Sequence, residues 1–93
     1  MKNTKVYVPV TARFDSDGTI HPIQIIWEDG LKYKIDKIVD IRQAPAKNAG
    51  GQGDRYTILI NGQKSYLFFE RGTNLFGNNI GRWFVERRAA TPH

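Results

Sequence analysis

Apolar and polar residues alternate over most of this chain, and the alternation breaks where turn residues intervene. Val6, Val8, Val10, Ala12 and Phe14 fall on even positions, with Lys5, Tyr7, Thr11 and Arg13 between them. A period of two sends successive side chains to opposite faces, so this stretch reads as a half-buried strand with its even positions inward. Pro9 has no N–H for a ladder, which predicts an edge strand or a bulge there. Asp15-Ser16-Asp17-Gly18 is a turn, because Asp side chains bond nearby backbone and Gly accepts positive φ. It begins like a calcium loop but has no Glu at the far end of one. Residues 19–28 return as a second strand broken by Pro22, with Ile23, Ile25 and Trp27 inward and Ile26 out of phase.

Asp29-Gly30 predicts a two-residue hairpin. Beyond it Leu31, Tyr33 and Ile35 continue inward while Lys32, Lys34 and Asp36 point out. Val39 and Ile41 keep the odd parity, whereas Ile38 breaks it, so a bulge or sharp bend is expected near Asp36-Lys37. Residues 43–53, QAPAKNAGGQG, read as a flexible loop. With Lys47 and Arg55 nearby it invites comparison with a phosphate cradle, but it lacks the Walker pattern and opens no helix. Residues 54–60 form the next strand, with Tyr56, Ile58 and Ile60 on one face. Asn61-Gly62 is a second tight hairpin signal. In the strand over residues 63–71, Tyr66, Leu67, Phe68 and Phe69 make both faces apolar, as in a central strand or an interface. Residues 71–81 read as a Gly/Asn-rich loop that Leu75 and Phe76 pin down as a helical turn or lid. Residues 82–87 close the fold as a last strand and residues 88–93 form a frayed tail.

No stretch carries a helix of useful length. The prediction is therefore an all-β chain: a small antiparallel barrel of five or six strands, SH3-like or OB-like, with little or no helix. Its 93 residues allow one domain, 1–93, with its core over about 5–87. The absence of Cys removes disulfides, thiolate metal sites and a Cys nucleophile. The two His residues, His21 and His93, are too far apart in sequence to suggest a metal cluster, and no cofactor is expected. Ser16 and Ser65 sit in no nucleophile motif. Asp36 and Asp40 share a strand face ~13 Å apart, too far for an acid–base pair. These absences argue against an enzyme. No apolar run approaches the length of a membrane helix, and the first residues lack a signal-peptide core, so a cytoplasmic location is expected.

The net charge of +5 favours anionic partners, nucleic acid first. By parity, Lys5, Arg13, Lys32, Lys34, Lys64 and Arg82 project opposite the core, and Tyr7 shares the face of Lys5 and Arg13. Cations interleaved with rings are the makeup of a single-strand platform, since ammonium and guanidinium groups neutralise phosphates while rings stack on bases. The candidate nucleic-acid residues are Lys5, Tyr7, Arg13, Lys32, Lys34 and Arg55. Interspersed carboxylates, including Glu70 and Glu86, dilute the face. The bland reading is that Tyr7 and Tyr66 build a second small core and the cations keep the protein soluble. An alternative function uses the apolar residues off the main parity, Ile26, Ile38, Leu59 and Phe84, as a face for a protein partner or a second copy.

The segments IIWEDGLKYKIDKIVD, RYTILI, YLFFE and RWFVE follow one another in an order that resembles a group of short bacterial proteins of unknown function. The resemblance spans about residues 6–87. It implies a small β-barrel and brings no catalytic or binding residues with it.

Overall fold

The computed structural model describes residues 3–43, 53–73 and 75–88. Among them the chain forms eight strands and no helix. They are β1 (Asn3–Tyr7), β2 (Val10–Phe14), β3 (Ile20–Ile26), β4 (Lys32–Lys34), β5 (Lys37–Arg42), β6 (Asp54–Ile60), β7 (Gln63–Thr73) and β8 (Asn79–Arg88). Every pairing is antiparallel. A five-stranded sheet runs β1-β8-β7-β6-β5 and a three-stranded sheet runs β2-β3-β4.

Two of the expected strands bend and serve both sheets, which is why more strands form than the alternation suggests. At the first corner the Val8 N–H donates to Trp83 O at 3.0 Å, and the Pro9 carbonyl accepts from the Ile26 N–H at 3.0 Å. Neighbouring residues thus belong to different sheets, and Pro9 sits where no ladder needs its missing N–H. The second corner lies at Ile35-Asp36: Ile35 N–H donates to Ile23 O and Asp36 N–H to Leu59 O, both at 2.8 Å. This is the bend expected near Asp36. The Asp36 side chain also accepts from the Asn61 N–H at 2.9 Å, tying the corner to the β6–β7 turn. Among the described residues no ladder runs from one sheet into the other, so the sheets are not closed into a barrel.

The core lies between the sheets. Val8, Tyr56, Ile58, Leu67 and Trp83 come from one, and Ile20, Ile25 and Ile35 from the other side. Ile58 and Leu67 are fully buried, each contributing about 1.5–3 kcal/mol of transfer free energy. Trp83 packs against Tyr56 and Phe69 with centroids 5.2 and 4.7 Å away. Burial raises the Tyr56 pKa, and its O–H donates to Ile20 O across the layers. Gly81 gives the Phe69 ring its place: a Cβ there would stand 2.3 Å from a ring carbon.

Bulges change the parity of several residues. In β3 Gln24 pairs with Thr11 but Pro22 with Ala12, so Ile23 is the extra residue and is exposed rather than inward. In β5 Ile38 pairs with Ile58 and Asp40 with Thr57. Val39 is the extra residue there; it is exposed and Ile38 packs on the core, the reverse of the expected arrangement. Ile41, Leu31 and Phe14 are also exposed. The surplus apolar face is likewise corrected. Phe84 is buried, and Ile26, Ile38 and Leu59 are partly covered.

Turn chemistry separates the hairpins. Asn61 and Gly62 both adopt positive φ, 52° and 77°, as a type I′ turn requires. Around Asp29, only Gly30 has positive φ, and Trp27 N–H bonds Leu31 O. That hairpin has a three-residue loop ending in a glycine bulge, not two residues, and the 15–18 turn repeats it. The described residues of 71–81 form no helical lid: β7 and β8 extend as a hairpin, and Leu75 is 100% exposed. Lys47 and most of the expected flexible loop lie outside the described residues, as does the tail beyond Arg88.

Candidate nucleic-acid interface

One face of the five-stranded sheet looks away from the core, and a row of paired positions crosses it. Tyr7 faces Phe84, Phe84 faces Phe68, and Phe68 faces Arg55. Alternation places these four on the side opposite Val6, Trp83, Leu67 and Tyr56. Phe84 is nonetheless only 1% exposed. Phe68 stacks on it at 5.0 Å and 7°, Tyr7 meets it edge-on at 5.8 Å, and the Lys5 ammonium lies 4.7 Å from its centroid. A small aromatic cluster has thus formed on the outer face, with Tyr7 and Phe68 still partly open to solvent.

Cations sit among these rings. The Arg82 guanidinium lies 4.4 Å from the Tyr7 centroid and that of Arg55 lies 5.0 Å from Tyr66. Glu70 joins several of them. It accepts from Lys5 Nζ at 2.6 Å, from Tyr7 Oη at 3.0 Å and from Arg82 at 2.9 Å. The Lys5 hydrogen bond, with help from Tyr7 and the two positive charges, lowers the Glu70 pKa below the usual carboxylate value. Arg55 differs. Its buried Nε finds no acceptor among the described residues, and its guanidinium rests on the Tyr66 ring.

Of the six candidate residues, Lys5, Tyr7 and Arg55 come together on this face. Arg13, Lys32 and Lys34 do not join them. Arg13 is on β2 and the two lysines on β4, in the three-stranded sheet. Their neighbours Ala12 and Ile35 pack inward, so these cations point away from the other side of the molecule. Arg13 is held by Asp15 at 2.7 Å, and Asp15 also meets His21 at 2.8 Å. Lys32 and Lys34 are exposed. Alternation within one strand could not say that two sheets would turn these charges in opposite directions.

Phe68, Glu70, Arg82 and Phe84 complete the outer face and were not among the six. The signal for Phe68 was the unbroken run Tyr66 to Phe69, which makes both faces of β7 apolar; Arg82 was marked by its outward parity and Phe84 by its place off the main parity. Among the described residues no group of three or more His, Asp or Glu side chains could hold a metal ion. No helix among them is long and apolar enough to cross a membrane. No known family model matches this sequence, and neither a curated protein nor a solved structure matches the chain.

Proposed function

We propose that this protein is a non-enzymatic module that binds single-stranded nucleic acid on the outer face of the five-stranded sheet. The observation that carries the reading is the row Tyr7, Phe84, Phe68 and Arg55, with Lys5 and Arg82 set against its rings. Partly open rings offer stacking surfaces worth about 1–3 kcal/mol per base, and the cations supply phosphate contacts. In this reading the two corners make the fold an open relative of the SH3-like and OB-like barrels, acting in the cytoplasm.

Titration of labelled single- and double-stranded oligonucleotides at two salt concentrations tests it. Binding that prefers single strands and weakens steeply with salt supports the platform. Undetectable binding at low salt refutes it. Alternation along β7 sets Lys64 on the face of Tyr66 and Phe68, and the Arg55→Glu, Lys64→Glu double variant weakens binding; an unchanged affinity also refutes the assigned face.

A second reading, a protein-interaction or homodimeric module, draws on Val39 and Ile41, exposed along β5 at the end of its sheet. Light scattering at high concentration tests the homodimer version: a monomer at every concentration rejects it.

A further inference from the structure

Strands β7 and β8 pair from Phe68 opposite Phe84 outward to Thr73 opposite Asn79, and no further. On the other side of that point, among the described residues, Gln63 to Leu67 pair only with β6, and Asn3 to Val6 of β1 are the partners of Val85 to Arg88. The sheet forks there. Arg87 is drawn toward the three-stranded sheet by an ion pair with Glu28, and its guanidinium lies 5.8 Å from the Trp27 ring centroid. A cleft of about 660 Å³ opens in the fork, within the ~300–1,000 Å³ of small-ligand sites.

Both faces of the sheet contribute to its walls, as a fork requires. Trp27 and Tyr33 line it from the three-stranded sheet, and Tyr66 and Phe68 from the platform side. Asn61, Gln63 and Ser65 bring neutral amide and hydroxyl groups, and Glu86 brings the one carboxylate among the described residues. Among the described residues no Lys or Arg lines the cleft. Such a lining suits a planar, uncharged heteroaromatic group and gives no counter-charge to a phosphate.

We propose that the cleft takes one unstacked base, guanine in preference to the others, from a strand lying on the platform; this rests on the nucleic-acid reading above. Tyr66 and Phe68 belong to both surfaces, so a strand stacked on the outer face passes the mouth of the cleft. The preference follows from Glu86. A carboxylate accepts hydrogen bonds only, and guanine alone offers two donors side by side, N1–H and N2–H₂, on its pairing edge. Adenine, cytosine and thymine each set an acceptor beside their donor, which the carboxylate repels.

Four probes test this on the full chain: a short thymidine oligomer, the same oligomer with one central guanine, the same with one central hypoxanthine, and the mononucleotide GMP. The guanine oligomer is expected to bind about tenfold tighter than the hypoxanthine one, which lacks the N2 donor. GMP is expected to shift the amide resonances of Ser65 and Glu86 and the Trp27 indole resonance. Glu86→Gln reduces the guanine preference to about twofold or less, and Ser65→Trp, which fills the cleft, abolishes the GMP shifts. Oligomers bound with no guanine preference, or a preference unchanged in Glu86→Gln, overturn the base site and leave the platform standing. If no oligomer binds while GMP still moves the cleft resonances, the platform fails and the base site remains. Absence of those shifts overturns the base site whatever the oligomers do.

Discussion

Replacing Glu70 by Gln separates what the outer face does for stability from what it does for binding. The carboxylate joins Lys5, Tyr7 and Arg82, and its own side chain is 12% exposed while those of Lys5 and Arg82 are 31% and 54% exposed. Full values for buried charge-assisted bonds therefore do not apply, and each contact must be discounted for solvent. About 1 kcal/mol for Lys5 and about 0.5 each for Tyr7 and Arg82 is reasonable, and Gln keeps one acceptor. The expected loss is about 1–2 kcal/mol at neutral pH. With a urea slope near 1 kcal/mol/M for a chain of this size, the midpoint falls by about 1–2 M, read by tryptophan fluorescence.

The pH dependence is the sharper test. Hydrogen bonding from Lys5 lowers the Glu70 pKa in the folded protein. Its contribution is thus fully present above the unfolded value, about 4.3, and is lost as pH falls through the lower folded value. Protonated Glu resembles Gln, so the gap between the two proteins should close in acid. The same substitution removes a negative charge from the platform and releases Lys5 and Arg82. Oligonucleotide affinity should rise, and the salt dependence should steepen by about 0.7 for each further phosphate neutralised. A stability gap equal at acid and neutral pH, or no gap at neutral pH, would refute the assigned role of Glu70. Unchanged oligonucleotide affinity would refute its place within the interface.

Phe84→Ala removes the centre of the outer aromatic cluster and should cost about 3–5 kcal/mol in chemical denaturation, as for a core phenylalanine. A cost below about 1 kcal/mol would mean that the cluster adds little. Gly62→Ala forces an alanine to φ 77° and should destabilise by about 1–2 kcal/mol by the same assay, whereas Asn61→Gly should be nearly silent. Gly53→Ala would bring a Cβ to 2.2 Å from Phe69 O, and an overpacking cost of about 1–3 kcal/mol should lower the melting temperature. Lys32→Glu with Lys34→Glu lies on the opposite sheet and should change single-strand affinity less than about threefold; a larger fall would move the interface there.

Strand existence was legible because local sterics and alternation set it. The tight turn at Asn61-Gly62 could be read directly, since few residues tolerate its two positive φ angles. The bend near Asp36 could be read from the misplaced Ile38. The exposure of Ile23 and Val39 could not, because a bulge inverts parity locally and its position depends on the partner strand. The binding face was half legible for the same reason. Lys5 and Tyr7 share a face within one strand, but adding Phe84, Phe68 and Arg55 needs the register of three further pairings.

The sequence by itself determined an all-β chain, its main turns and its outward cations, because those follow from contacts between near neighbours. Tertiary structure decided which cations share a surface. It set Lys32 and Lys34 apart from Lys5 and Arg55, since chain bends at Pro9 and Asp36 send parts of one alternating pattern into two sheets. It also decided that Phe84 lies buried on the outer face and that β7 and β8 part beyond Phe68. Those outcomes depend on packing between residues distant in the chain, which no local pattern records.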